Sequence, residues 1–258
     1  MSEPFENLRS KAAKVAVAAR YLDDFSLCFP AECHPEETFP AASVIKIGIM
    51  SCLLDQVQSQ TMTLGDRVSI SASQQVGGAG VLFELEPDRD YSLAELCRLM
   101  MVVSDNTASN ALARHLGLEP MNDFWAKRGY ASTMRRYFMD PVVAGRDNQM
   151  SALSAAMMLR DLYSGLELSH DLREFAVGCL RRQQYREKIP LMLPDDLVVG
   201  HKTGELDGVR HDAAVIETSR PYILVVLTAE GSQSWLVDSA IAQFSLEVYQ
   251  NVRAKVGA

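Results

Sequence analysis

Apolar and polar positions along this chain follow two periods. Residues 6–14 space their apolar side chains as a short helix, and residues 15–22, nearly all apolar, read as a strand. Asp23-Asp24 then turns the chain into a second strand near 25–29. An apolar run from Ala41 through Leu54 predicts a helix ending near Gln58. Between 91 and 129 the 3–4 spacing of Leu93, Leu96, Cys97, Met100 and Met101 is helical. It resumes with Ala111, Leu112, His115 and Leu116, and Pro120 opens a further amphipathic piece. Helices are predicted over 151–163 and 172–184. After Pro194 the pattern changes to strands at 197–202, 213–216 and 222–227, and a terminal helix covers 234–255. Strands at both ends with helices between predict an α/β (α+β) fold: one antiparallel sheet built from both termini and flanked by helices, with an inserted all-helical lobe. The chain reads as a single domain, 1–258, whose lobes are 1–58 plus 195–258 and 59–194, with a cleft between them.

The 258 residues are 48% hydrophobic and 22% charged, enough for a large core. A net charge of −8 makes the chain a poor partner for nucleic acid or an anionic membrane. Arg135-Arg136 and Arg181-Arg182 read as solvated faces or local ion pairs. Five cysteines, an odd number without a CxxC pair, fit a reducing compartment, with Cys52 and Cys97 as small buried residues. Residues 1–6 are polar and acidic, without the basic and apolar regions of a secretion signal, so the expected location is cytoplasmic. No apolar stretch approaches membrane-spanning length. His34, His115 and His170 show no ligand spacing, so neither a metal nor another cofactor is expected.

One charge changes this bland picture. Lys46 lies inside the apolar run, three residues after Ser43, so a helix puts both on one face. An ammonium in apolar surroundings is expensive, so its pKa should fall and leave a neutral amine beside a hydroxyl, a general base beside a nucleophile. Alone, Ser43-x-x-Lys46 is weak, since S-x-x-K occurs by chance in roughly half of chains this long. Two further motifs are equally modest singly. Ser104-Asp105-Asn106 could simply cap a helix starting at Thr107. Lys202-Thr203-Gly204 could be a strand ending in a turn.

In this order the three motifs form a known set, and the chain resembles the class A β-lactamases and penicillin-binding proteins over nearly its whole length. The resemblance implies that Ser43 is the acylated nucleophile and Lys46 the base that activates it. Ser104 would relay a proton to the leaving nitrogen, and Asn106 would hold the substrate amide and orient Lys46. Lys202 would supply positive potential, Thr203 would bind a substrate carboxylate, and Gly204 would let the strand approach the ligand. The backbone N–H groups of Ser43 and Glu205 would form the oxyanion hole. Arg210 is a further candidate for the carboxylate. Asp105 reads as structural. His211 could line the cleft rim, and strand alternation argues against its pairing with the adjacent Asp212.

The pattern departs from that family in one loop. Class A enzymes carry a glutamate there that activates the deacylating water, whereas residues 135–148 contain none. Asp140-Pro141 resembles the step only loosely, one methylene short. Arg136 and Asp147 are expected to close the loop as an ion pair, and Asn148 to belong to the next helix start with Ser151. The resemblance therefore implies a serine hydrolase that opens β-lactam rings through a Ser43 acyl-enzyme, with slow deacylation. The alternatives are a serine esterase, a D-aminoacyl peptidase, or a covalently acylated sensor. The partner is a small β-lactam, ester or amide.

Overall fold

The computed structural model describes residues 3–30, 32–143, 145–165 and 167–256. Helix α1 (Glu3–Lys11) passes straight into strand β1 (Ala12–Tyr21), three residues earlier than the apolar pattern predicts. Cross-strand pairing decides the boundary, because Lys14 is already in register with Ala229 and ion-paired to Glu230 at 2.7 Å. The second strand expected at 25–29 does not form. Phe25 takes a left-handed conformation (φ 58°), and only an isolated bridge joins Leu27 to Arg20.

Strand β2 (Thr38–Pro40) leads into a tight 3-10 turn, Ala42–Ile45, and then helix α2 (Lys46–Gln58). Strands β3 (Arg67–Ile70) and β4 (Arg89–Ser92) form a small hairpin-like pair before helices α3 (Leu93–Val102), α4 (Asn106–Leu116) and α5 (Leu118–Lys127). Short strands β5 (Ser132–Thr133) and β6 (Gln149–Ser151) join β2 in a three-stranded sheet. Helices α6 (Ala152–Ser164) and α7 (His170–Arg181) follow, then strands β7 (Val199–Leu206), β8 (Val209–Ile216) and β9 (Tyr222–Gly231), and helix α8 (Ser234–Val256).

The main sheet is antiparallel, ordered β1-β9-β8-β7, so the N-terminal strand pairs with the last strand as the sequence pattern implies. Alternation along these strands sends residues to two cores. Val17, Ala19, Leu224 and Val226 meet α1 and α8, where Phe244 packs on Phe5 and Phe29 at 5.5 and 5.8 Å between ring centroids. Ala16, Ala18, Ile223 and Val225 face the helical region. Among the described residues no helix is long and apolar enough to cross a membrane.

Helix α2 packs against α4, α5 and α6 and is buried along almost its whole first two turns. Such closeness needs a small residue. Gly48 faces Trp125 of α5, whose indole N–H donates to the Gly48 carbonyl at 3.1 Å. A Cβ on Gly48 would lie 2.9 Å from the indole ring. Alanine normally stabilises a helix interior by about 1 kcal/mol relative to glycine. Here Gly48→Ala should instead destabilise by about 1–3 kcal/mol, the usual cost of overpacking. The cost should shrink in a Trp125→Phe background, as urea melts in a double-mutant cycle would read. Equal costs in both backgrounds would refute the contact as the cause.

Candidate active site

Ser43 sits in the 3-10 turn that precedes α2, directly after Ala42, a non-glycine residue held at φ 46°. Two contacts fix this unfavourable conformation: the Ala41 N–H donates to the Asn148 carbonyl at 2.8 Å, and the Val44 N–H closes onto Ala41 at 3.1 Å. Residues three apart eclipse on a 3-10 turn, so Ser43 and Lys46 share a face although the regular helix begins only at Lys46. Ser43 opens toward a cavity of about 460 Å³, and Lys46 is fully buried beneath it.

The Lys46 amine has three partners: the Ser104 carbonyl at 2.7 Å, Asn106 Oδ1 at 2.9 Å and Ser104 Oγ at 3.0 Å. Burial, and secondarily the charge of Lys202, push its pKa well below the lysine value. A neutral amine has two N–H groups and one lone pair. The carbonyl and amide oxygens can only accept and so orient the amine, and the contact with Ser104 Oγ is the one along which a proton can move either way. The Phe138 ring covers the amine, its centroid 4.4 Å from Nζ.

Ser104 is itself strained, at φ 55°, in the break between α3 and α4. The next residue explains how the break is held. Asp105 caps α4 through the Ala108 N–H at 2.8 Å, and its other oxygen accepts from Val81 and Leu82 at 2.6 and 2.8 Å. Asp105 is therefore structural, as expected, but the helix begins at Asn106 rather than Thr107. Asn106 also donates to the Gly77 carbonyl at 3.0 Å, which ties the cavity wall at 76–82 to Lys46.

Lys202 reaches the same hydroxyl from the sheet, with Nζ 3.1 Å from Ser104 Oγ and 2.9 Å from the Thr203 carbonyl. It is fully buried, and burial brings its pKa down to about 7, opposed mainly by the carboxylate of Asp212. The motif lies inside β7 rather than at a strand end. Gly204 serves a closer contact than the sequence suggests. A Cβ there would stand 2.9 Å from Val44 Cγ2 and 3.2 Å from Ala42 Cβ, so the strand lies directly against the turn that carries Ser43.

Thr203 and Glu205 line the cavity, and Arg210 does not. Arg210, a candidate for the substrate carboxylate by sequence, is held by Asp238 of α8 through two contacts of 2.8 and 2.5 Å and by Glu205 at 2.9 Å. His211 also departs from expectation. It is buried rather than on the rim, bonded to the Pro40 carbonyl at 2.8 Å and to the Thr228 N–H at 3.1 Å. Burial lowers its pKa to about 4, consistent with a neutral ring that donates from Nε2 and accepts at Nδ1. Asp212 points the other way, as alternation requires, and pairs with His201 at 3.0 Å.

The loop 135–148 supplies the facing wall. Arg136 and Asp147 form the expected ion pair at 2.7 Å. Asn148, placed by sequence at the next helix start, instead holds the loop: its Oδ1 accepts from the Arg135 and Arg136 N–H groups at 2.8 and 3.1 Å. Ser151 alone caps α6. Asn110, which no motif marks, clamps Phe138 by two backbone contacts of 2.8 and 3.0 Å. Asp140 lines the cavity but accepts from the Tyr137 N–H of its own turn at 3.2 Å. Among the described residues no group of three metal-ligating side chains occurs.

A family model described as "Beta-lactamase enzyme family" matches residues 3–252. β-Lactamase CTX-M-8 of Citrobacter amalonaticus is 30% identical over 207 residues, 77% of this chain and 71% of that enzyme. A β-lactamase of Bacteroides uniformis is 27% identical over 82% of this chain and 72% of its own. Among solved structures, the β-lactamase of Sphaerobacter thermophilus DSM 20745 superposes with a TM-score of 0.88 over 97% of both chains at 24% identity. A point mutant of PBP-A, as its acyl-enzyme complex with penicillin G, superposes at 0.84 over 97% of this chain and 96% of its own at 23% identity. With its three motifs assembled around one cavity and both fold and sequence matching, the chain belongs to the class A β-lactamase family.

Proposed function

We propose that this protein opens β-lactam rings through an acyl-enzyme on Ser43 and releases the product slowly. The observation that carries the reading is the buried Lys46 amine bonded to Ser104 and Asn106, with Lys202 on the same Ser104 hydroxyl. Ser43 Oγ attacks the carbonyl carbon while its proton passes to the neutral Lys46 amine. The C–N bond then breaks as Ser104 passes its proton to the departing nitrogen and takes in its place the proton held by Lys46, which leaves the amine neutral again. The backbone N–H groups of Ser43 and Glu205 are assigned to the developing oxyanion. Thr203 is assigned to substrate binding, with Lys202 supplying positive charge.

Slow release follows from the carboxylates available. The described residues lining the cavity include Asp140, Asp147 and Glu205. Asp140 caps its own turn, Asp147 is held by Arg136, and Glu205 is held by Lys188 and Arg210. A general base must lie within hydrogen-bond reach of its water, and each of these groups is committed elsewhere.

Intact-mass measurements after adding benzylpenicillin test the chemistry. The wild type should gain the whole mass of one penicillin and keep it for many minutes, and Ser43→Ala should gain none. An adduct lost within seconds would overturn slow release. Absence of any adduct on the wild type would overturn the lactam reading in favour of esters or D-aminoacyl amides.

The pH dependence gives a second check. Lys202 titrates at about 7, well below the lysine value, so its charge is present at lower pH and lost as pH rises through that value. Acylation should therefore fall on the alkaline side with an apparent pKa near 7. Lys202→Arg keeps the charge and should move that fall above about pH 9, because guanidinium stays protonated. An unchanged alkaline limb in Lys202→Arg would exclude Lys202 as its source.

A further inference from the structure

A second cavity, of about 230 Å³, lies along α2 and shares no lining residue with the one at Ser43. Its walls come from α2, the end of α5, α6 and the segment after α6. Ser51 of α2 lines it and is only 9% exposed. A serine within a helix can return its hydroxyl to the carbonyl four residues back, as Ser109 does to Asp105 at 2.5 Å. Ser51 does not, and its hydroxyl has no hydrogen-bond partner among the described residues. A nearly buried polar atom left without a bond is costly, so it calls for a partner that enters the cavity.

The charges around that hydroxyl say what the partner is. Asp55 lies one turn after Ser51, on the same face of α2. Arg128 donates to Asp55 Oδ1 at 3.0 Å and also pairs with Glu167, so one guanidinium serves two carboxylates. The other Asp55 oxygen, Oδ2, has no bond among the described residues. On α6, Arg160 and Asp161 pair at 3.0 Å and offset each other, and the second Asp161 oxygen accepts from the Tyr130 hydroxyl at 2.5 Å. The described lining thus sets two arginines against three carboxylates, an excess of one negative charge. The remaining lining side chains, Phe124, Leu162 and Leu168, are apolar.

We propose that this cavity binds a small organic cation, a primary ammonium on an apolar body, which donates to Ser51 Oγ and Asp55 Oδ2 and lays its body against Phe124, Leu162 and Leu168. An ammonium has three donors and no acceptor, which matches a hydroxyl lone pair beside a carboxylate oxygen. An anion would meet the excess carboxylate, and both arginines are already engaged. A wholly apolar ligand would leave Ser51 and Asp55 desolvated without a bond. The volume, below the roughly 300–1,000 Å³ of drug-sized sites, suits one ring or a short chain. Binding here is independent of the acyl transfer proposed at Ser43.

Calorimetric titration of the whole protein with benzylamine, benzyl alcohol and benzoate tests this. At neutral pH benzylammonium should bind one-to-one with a Kd of about 1 mM or tighter, and the alcohol and the anion about tenfold more weakly or not at all. Asp55→Asn and Ser51→Ala should each weaken benzylammonium, by about tenfold and about fivefold, the scale of one charged and one neutral contact. Asp55→Asn also disturbs the pair with Arg128, whereas Ser51→Ala removes no bond within the protein and so isolates the contact with the ligand. Ser43→Ala should bind as the wild type does. No binding of benzylammonium up to about 10 mM, equal or tighter binding of the alcohol or of benzoate, or an affinity unmoved in Ser51→Ala and Asp55→Asn would overturn the inference. So would loss of binding in Ser43→Ala, which would place the amine in the other cavity. None of these outcomes bears on acylation of Ser43.

Discussion

The site depends on keeping two lysine side chains dry around a single hydroxyl. Lys46 and Lys202 are both fully buried and both lie within 3.1 Å of Ser104 Oγ. Taking one ammonium out of water costs several kcal/mol even after relaxation, and two side by side repel. Deprotonating Lys46 lowers that cost, and the buried carboxylate of Asp212 favours the charge on Lys202. Burial thus lowers the pKa of both amines, and at Lys202 the carboxylate of Asp212 opposes it.

Holding that arrangement requires strained backbone on both sides of it. Ala42 and Ser104 each occupy the left-handed region, at a cost of about 1–3 kcal/mol apiece. Each is fixed by neighbours with large cores behind them. The turn at Ala42 is held between the Asn148 carbonyl and strand β7, whose approach the absence of a side chain at Gly204 permits. The break at Ser104 is held by Asp105, which caps α4 and binds the 81–82 backbone with the same carboxylate. Packing on both faces of the main sheet, at about 1.5–3 kcal/mol per buried aliphatic side chain, offsets such local costs.

The loop over the cavity is equally well held but presents different chemistry. Arg136–Asp147, Asn148 and Asn110 bind it from three directions. The side chain it lays over Lys46 is the Phe138 ring, with no carboxylate there. A rigid apolar cover shields the amine and favours its neutral form, but it offers no group to take a proton from water.

Much of this was legible in the residues. Ser43, Lys46, Ser104, Asn106 and Lys202 stand in short motifs, and the apolar runs at 15–22 and 222–227 indicated a sheet built from both termini. Those signals survive because they are local, set by spacing and by the cost of one charge in an apolar run. Arg210 was different: its side chain follows partners 5 and 28 residues away, Glu205 and Asp238, which no spacing rule connects. Asn148 and Asn110 likewise carry no motif, because they act by bonding backbone atoms of distant segments. The boundary of β1 and the failure of the strand at 25–29 were settled by pairing with β9 and by the left-handed Phe25. The sequence by itself determined the three motifs, the class of fold and the absence of a glutamate from the loop. Only the tertiary structure decided which charges remain free to meet a ligand, because ion pairing depends on distances that chain order does not set.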